Sequence, residues 1–176
     1  MRVITGTAKG RRLFSFTGEA EGRRPTSDFI KQAIFSRIQF DIYGRTALDL
    51  FAGTGQLGIE ALSRGAAHAD FVDTDISAVK KNIEITGLAD RASVIKSDAA
   101  AFLKRAGRRY DLIFLDPPYR SELLGAALRE ITAIDILNIG GIIVCESQRE
   151  CGAFNGYEKA ARVYSDKVIT IYKRGF

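Results

Sequence analysis

Asp49-Leu50-Phe51-Ala52-Gly53-Thr54-Gly55-Gln56-Leu57-Gly58 reads as the end of an apolar strand that runs into a Gly-x-Gly-x-x-Gly turn and opens a helix. Glycines in such a turn permit positive φ and leave bare backbone against which a ligand can lie. The helix behind it offers unpaired N–H groups to an anionic part of that ligand. A carboxylate that grips a ribose diol is expected about twenty residues further on, at the end of a second strand, and Asp73 and Asp75 both stand there. Asp73 is preferred, because the apolar run 69–72 stops just before it, whereas Asp75 is placed to cap the next helix. Asp98 closes a third strand in the same way and is suited to capping a helix or accepting from an adenine amino group.

Working outward, apolar runs at 47–51, 69–72, 92–95, 112–115 and 142–145 alternate with helical stretches at 56–64, 76–86, 99–105 and 121–133. Short apolar strands separated by helices make βαβ units and a parallel sheet. The tail, 160–165 and 167–173, splits at Ser165-Asp166 like an antiparallel hairpin. The expected fold is therefore α/β: a Rossmann-like, doubly wound, mainly parallel seven-stranded sheet with a C-terminal antiparallel hairpin. Ahead of it, residues 1–25 alternate short apolar pieces with Gly punctuation, as in a β-ribbon or extended arm rather than a helix. Pro25 marks a boundary, and Thr26 or Ser27 can cap a helix whose apolar positions are Phe29, Ile30, Ala33, Ile34 and Ile38. Residues 1–176 are expected to form a single domain, with a basic N-terminal extension at 1–45 and a catalytic core at 46–176.

Charge is unevenly placed along the chain. The net charge is +5, and residues 1–45 hold nine Lys or Arg against four Asp or Glu, so the remaining 131 residues are balanced. A basic extension on a neutral body suits a polyanion such as nucleic acid, with Arg2, Lys9, Arg11, Arg12, Arg23 and Arg24 as the candidate contacts. The longest apolar run is far short of the ~20 residues of a membrane span, no secretory signal is visible, and Cys145 and Cys151 are the only cysteines. A reducing, cytoplasmic setting is expected, with no membrane partner.

The chemistry is carried by Asp116-Pro117-Pro118-Tyr119, directly after an apolar strand. Two prolines lock φ, remove two N–H donors and hold the preceding residue extended, so oxygens project rigidly from the strand end. An exocyclic base amine is a poor nucleophile because its lone pair is delocalised into the ring. The Asp116 carboxylate and Pro117 carbonyl can bind its two hydrogens and aim the lone pair at an electrophile, with Tyr119 stacked on a flipped base. This motif suits N2 of guanine, N6 of adenine or N4 of cytosine alike.

The glycine turn with Asp49, the acidic end of the second strand and Asp-Pro-Pro-Tyr together resemble a class I S-adenosylmethionine-dependent methyltransferase acting on an exocyclic amine. Arg2-Val3-Ile4-Thr5-Gly6, Lys9-Gly10-Arg11-Arg12-Leu13 and Arg24-Pro25-Thr26 with Phe35 are further similar to the 16S ribosomal RNA guanine-N2 methyltransferases of the RsmD type. The chain departs from that pattern at Lys31-Gln32, where the family usually has Arg-Glu. The resemblance implies that Asp49, Gly53 and Gly55 hold the methionine end of S-adenosylmethionine, Asp73 its ribose and Asp98 its adenine. It also implies that Asp116, Pro117 and Tyr119 hold the target guanine, that S-adenosylhomocysteine is the product and that no metal is needed. The implied partner is 16S rRNA, within the small ribosomal subunit or an assembly intermediate.

Other readings make different demands. An NAD-binding oxidoreductase shares the glycine turn but wants a hydride partner, and no Tyr-x-x-x-Lys pair follows at suitable spacing. A methyltransferase acting on a pyrimidine ring carbon needs a thiol nucleophile, yet Cys145 reads as core and Cys151 lies outside any motif. A non-catalytic RNA-binding assembly factor needs the basic extension alone. His68, without a partner cluster in the sequence, is expected at the surface near a helix end.

Overall fold

The computed structural model describes residues 1–15, 25–118 and 122–175. Chain order runs α1 (Pro25–Arg37), β1 (Thr46–Leu50), α2 (Gln56–Ser63), β2 (His68–Asp73), α3 (Ser77–Thr86), β3 (Ala92–Lys96), α4 (Ala99–Leu103), β4 (Tyr110–Leu115), α5 (Leu123–Ile134), β5 (Leu137–Ser147), β6 (Tyr157–Tyr164) and β7 (Lys167–Arg174). Short 3-10 turns lie at Gln39–Asp41 and Ala89–Arg91. None of these helices is long and apolar enough to cross a membrane.

The strands form one sheet in the order β3-β2-β1-β4-β5-β7-β6. β1 to β5 are parallel, and β7 runs antiparallel between β5 and β6. This is the doubly wound α/β sheet with its C-terminal hairpin. The chain begins at β1, steps outward to β3, then returns to lay β4 against the other side of β1. Such a reversal opens a crevice beyond the C-terminal ends of the two strands, the usual ligand position in open α/β sheets.

Alternation along the strands feeds two apolar layers. Ala47, Phe71, Phe114, Val144 and Ile169 face the layer built by α1, α2 and α3, which supply Ile34, Phe35, Leu57, Leu62 and Val79. Leu48, Leu50, Ile113, Leu115 and Ile143 face α4 and α5 through Leu103, Leu128 and Ile131. Strands covered on both sides are continuous apolar runs, which is why 112–115 and 142–145 stand out in the sequence. β5 extends further toward its start, to Leu137, past a register shift opposite Tyr110 and Leu112 that the Gly140-Gly141 pair obscures.

Among the described residues of the N-terminal extension, one antiparallel bridge joins Arg2 and Arg12, and residues 16–24 lie outside them. The arm is folded onto the body, with Val3, Ala8 and Leu13 buried in the first layer. Glu60 of α2, which has no exposed surface, accepts from the N–H groups of Ile4 at 2.8 Å and Thr5 at 3.0 Å and from Arg64 Nε at 2.8 Å. Lys31 of α1 is also buried, 3.8 Å from Glu60, and donates to the Arg2 carbonyl at 2.5 Å. Burial lowers the Lys31 pKa, and the neighbouring Glu60 and Asp28 oppose that fall. Gly6, at φ 90°, presses against the Ser63 carbonyl: a Cβ there would lie 1.8 Å from the oxygen.

Two expectations are corrected here. Helix α1 starts at Pro25 itself rather than after Thr26 or Ser27, because proline's fixed φ suits the first helical position. His68 begins β2 and is half-buried, with Nε2 3.2 Å from Asp70 Oδ1 and 2.9 Å from Ser93 Oγ. Its neighbours come from strand pairing, which brings β2 and β3 into register. Both contacts use the same ring nitrogen.

Candidate functional site

The crevice at the β1/β4 reversal gathers most of the expected site residues. Asp49, next to last in β1, is 2% exposed and accepts from the Gly58 N–H at 2.9 Å, tying the strand to the start of α2. Burial pushes its pKa up to about 8 against the lowering effect of that hydrogen bond, and the charges of Asp116 and Asp73 add to the rise. The glycines divide the work of the turn. Gly55, at φ 77°, would place a Cβ 2.6 Å from Val79, and Gly58 would place one 2.4 Å from the Phe71 ring, so both are needed for close helix–sheet packing. Gly53, at φ 53°, has no atom within 4 Å of that position; it faces the crevice.

Asp73 and Asp75 separate. Asp73 lines the crevice and accepts from the Gly53 N–H at 2.8 Å and the Asp75 N–H at 3.1 Å. Asp75 turns to the start of α3, where it accepts from Ser77 N–H at 3.0 Å and from the Ser77 hydroxyl, and these bonds lower its pKa. Asp98 caps α4 through Oδ1, accepting from the Ala101 N–H at 2.8 Å, and also lines the crevice.

Across from the glycine turn stands the end of β4. Asp116 is half-buried, Pro117 buried and Pro118 exposed, and all three border a cavity of about 470 Å³ that they share with Phe51, Asp73 and Asp98. A smaller recess of about 130 Å³ between Asp49 and Asp116 adjoins it, with Gly53 and Phe51 common to both. Burial pushes the Asp116 pKa up to about 7; the Glu146 charge adds to this and Lys167 opposes it. Tyr119, the fourth residue of the motif, lies outside the described residues, as do Arg23 and Arg24 of the basic extension. Arg2, Lys9, Arg11 and Arg12 are exposed on the folded arm, with Arg11 donating to the Ile85 carbonyl at 2.6 Å.

Three residues in or behind the crevice escape a reading of the sequence. Phe51 has φ 87°, in a region that bulky residues avoid, while its N–H donates to the Val72 carbonyl at 3.1 Å. Gln56 borders the small recess with its buried Oε1 unpartnered among the described residues. Asn82 of α3 joins the arm to the glycine turn by bonding Phe14 and Thr54. No local signal marks any of them: each role arises from what the fold brings alongside.

The family described as "Conserved hypothetical protein 95" matches residues 1–173. This chain belongs to that family. Among its relatives, "Putative rRNA methyltransferase YlbH" of Bacillus subtilis strain 168 is 45% identical over 156 residues, 85% of this chain and 84% of that protein. "Ribosomal RNA small subunit methyltransferase D" of Escherichia coli K12 is 34% identical over 154 residues, 86% of this chain and 77% of that one. The solved structure "Putative methyltransferase yhhF from Escherichia coli" superposes with a TM-score of 0.87 at 31% identity, covering 99% of this chain and 98% of that one. The family thus contains the RsmD-type proteins that the N-terminal and crevice motifs resemble, and the match includes the basic extension as well as the sheet.

Proposed function

We infer that this RsmD-type protein transfers a methyl group from S-adenosylmethionine to the N2 amine of a guanine in 16S rRNA, acting on the small ribosomal subunit or an intermediate of its assembly, in the cytoplasm. The observation that carries this reading is the pairing, across one crevice, of the glycine turn with the Asp116-Pro117 corner. Residues 46–176 are read as the catalytic core of a single domain and residues 1–45 as its RNA-binding extension.

The crevice fits the cofactor. Gly53 leaves space that no neighbouring described residue fills, and Gln56 Oε1, unpartnered among the described residues, lines the same recess as Asp49 and offers an acceptor to an ammonium group. Asp49, Gly53 and Gly55 would hold the methionine end, Asp73 the ribose hydroxyls and Asp98 the adenine. When bound, S-adenosylmethionine supplies a methyl group made electrophilic by its sulfonium. Asp116 and the Pro117 carbonyl would accept the two amine hydrogens, which frees the nitrogen lone pair and fixes its direction. Transfer would exchange the sulfonium S–C bond for the new N–C bond, leave S-adenosylhomocysteine and turn the nitrogen cationic, which would then give up one proton to the Asp116 carboxylate or to water. Tyr119 would stack on the base, worth ~1–3 kcal/mol on such platforms.

Incubation with labelled S-adenosylmethionine and small ribosomal subunits that lack the modification, followed by nucleoside mass analysis, tests the reading. N2-methylguanosine is expected; N6-methyladenosine or another exocyclic product would reassign the base. Asp116→Ala should lose transfer by orders of magnitude with S-adenosylhomocysteine affinity little changed, and unchanged turnover would refute the role given to Asp116.

A further inference from the structure

The ends of β4 and β5 are in register. Leu115 pairs with Cys145 as the last pair of that ladder, so Asp116, the first residue past β4, and Glu146, the next residue of β5, leave the same point of the sheet edge. Adjacent strands are about 4.8 Å apart, which keeps two such carboxylates within strong mutual influence. Glu146 is only 7% exposed. It pairs across β7 with Ile169 and forms an ion pair with Lys167, the first residue of that strand. The C-terminal hairpin therefore delivers one cation to the same end of the sheet as the proline-locked corner. Neither Glu146 nor Lys167 belongs to the glycine turn or to the Asp116-Tyr119 motif.

Building on the methyl-transfer reading, we propose that the Glu146–Lys167 ion pair is a positioning pair for Asp116: it determines when the Asp116 carboxylate is free to accept the hydrogens of the target amine. Among the described residues, the charged groups around Asp116 are Asp49 from β1, Glu146 from β5 and Lys167 from β7, with Asp73 and Asp98 across the shared crevice. Glu146 opposes ionisation of Asp116 and Lys167 favours it, so the two act with opposite sign. A protonated Asp116 presents an O–H donor in place of one acceptor and holds the amine less well. An ionised one accepts its share of the amine hydrogens beside the Pro117 carbonyl and can take the proton released after transfer. The pair thus acts through Asp116 and touches neither reacting atom.

The sign difference makes the test specific. The Asp116 carboxyl carbon is followed by 13C NMR as a function of pH in the full-length protein, without RNA or cofactor, for the native chain, Glu146→Gln, Lys167→Met and Lys167→Arg. Glu146→Gln should lower the Asp116 midpoint and Lys167→Met should raise it, each by roughly half a unit to one unit, below the range for a directly contacting charge. Lys167→Arg should leave it within a few tenths of the native value on the same scale. The acid limb of the single-turnover rate on unmodified small subunits should move in the same directions. A merely structural role would lower the amplitude and leave the midpoint where it was. Midpoints that do not move, or that move the same way in both charge-removing variants, overturn the proposal. The methyl-transfer reading fails separately, through an active Asp116→Ala variant, whatever the titrations show.

Discussion

The side-chain amide of Asn82 donates to the Thr54 carbonyl at 2.8 Å, so α3 supports the glycine turn from behind. The same amide donates to the Phe14 carbonyl at 3.0 Å, and its Oδ1 accepts from the Phe14 N–H at 2.6 Å. One buried side chain therefore holds the basic arm and the turn together. Asn82→Ala removes three hydrogen bonds and should lower unfolding free energy by roughly 2–4 kcal/mol, read by urea denaturation. Affinity for S-adenosylhomocysteine should fall as well, measured calorimetrically; unchanged affinity would mean that the turn keeps its shape without α3.

The raised pKa of Asp49 makes stability depend on pH in an unusual direction. An ordinary aspartate titrates near 3.8, whereas Asp49 is pushed up to about 8 by burial. Between those values the folded protein keeps a proton that the unfolded chain has released, so this group's contribution falls as pH rises. Asp116, pushed up to about 7, acts in the same sense. Asp49→Asn should flatten the decline, with its stability relative to the native chain greater at pH 8 than at pH 5 by urea denaturation. A parallel offset at both pH values would show that Asp49 is already ionised at pH 5.

Glu60 is the acid to which the arm is fastened. Truncating it to Ala leaves Lys31 and Arg64 without that carboxylate and releases the Ile4 and Thr5 N–H groups. Breaking a buried ion pair from one side costs about 3–5 kcal/mol. Adding Lys31→Met should recover part of the loss, because the stranded charge is removed. A double variant no more stable than Glu60→Ala alone would show that the N–H bonds, not the charges, carry the cost.

Gly58→Ala places a methyl group 2.4 Å from the Phe71 ring. Overpacking of this kind costs about 1–3 kcal/mol, seen as a lower melting temperature. Phe71→Leu in the same chain should relieve part of it.

RNA affinity should fall with salt by a slope of ~0.7–0.9 for each phosphate contact that a cation neutralises. Changing the exposed Arg2, Lys9, Arg11 and Arg12 to Ala should flatten that slope, in a filter-binding series on unmodified small subunits. An unchanged slope would make the arm a solvated basic surface.

Much of the frame is legible in the sequence because its signals are local. Apolar runs between glycine turns locate β1, β2, β3 and β4, and the Ser165-Asp166 break locates the β6–β7 turn. The acids at strand ends fall at the crevice because a parallel sheet puts every strand's C-terminal end on the same side. What escapes depends on contacts distant in sequence. Glu60 resembles any acid in the middle of a helix, and its partners Ile4 and Thr5 lie more than fifty residues away. Glu146 and Lys167 meet only because β7 runs antiparallel beside β5. The left-handed backbone of Phe51 has no signature in a residue type that normally shuns it.

The arm's docking also bears on how binding is driven. Residues 1–15 already lie against α2 and α3, with Gly6 against Ser63 and Phe14 clasped by Asn82. A polyanion that meets Arg2, Lys9, Arg11 and Arg12 finds them on backbone whose conformational freedom has already been surrendered in folding. Association through this stretch then carries little ordering entropy, in contrast to a tail that folds only on contact.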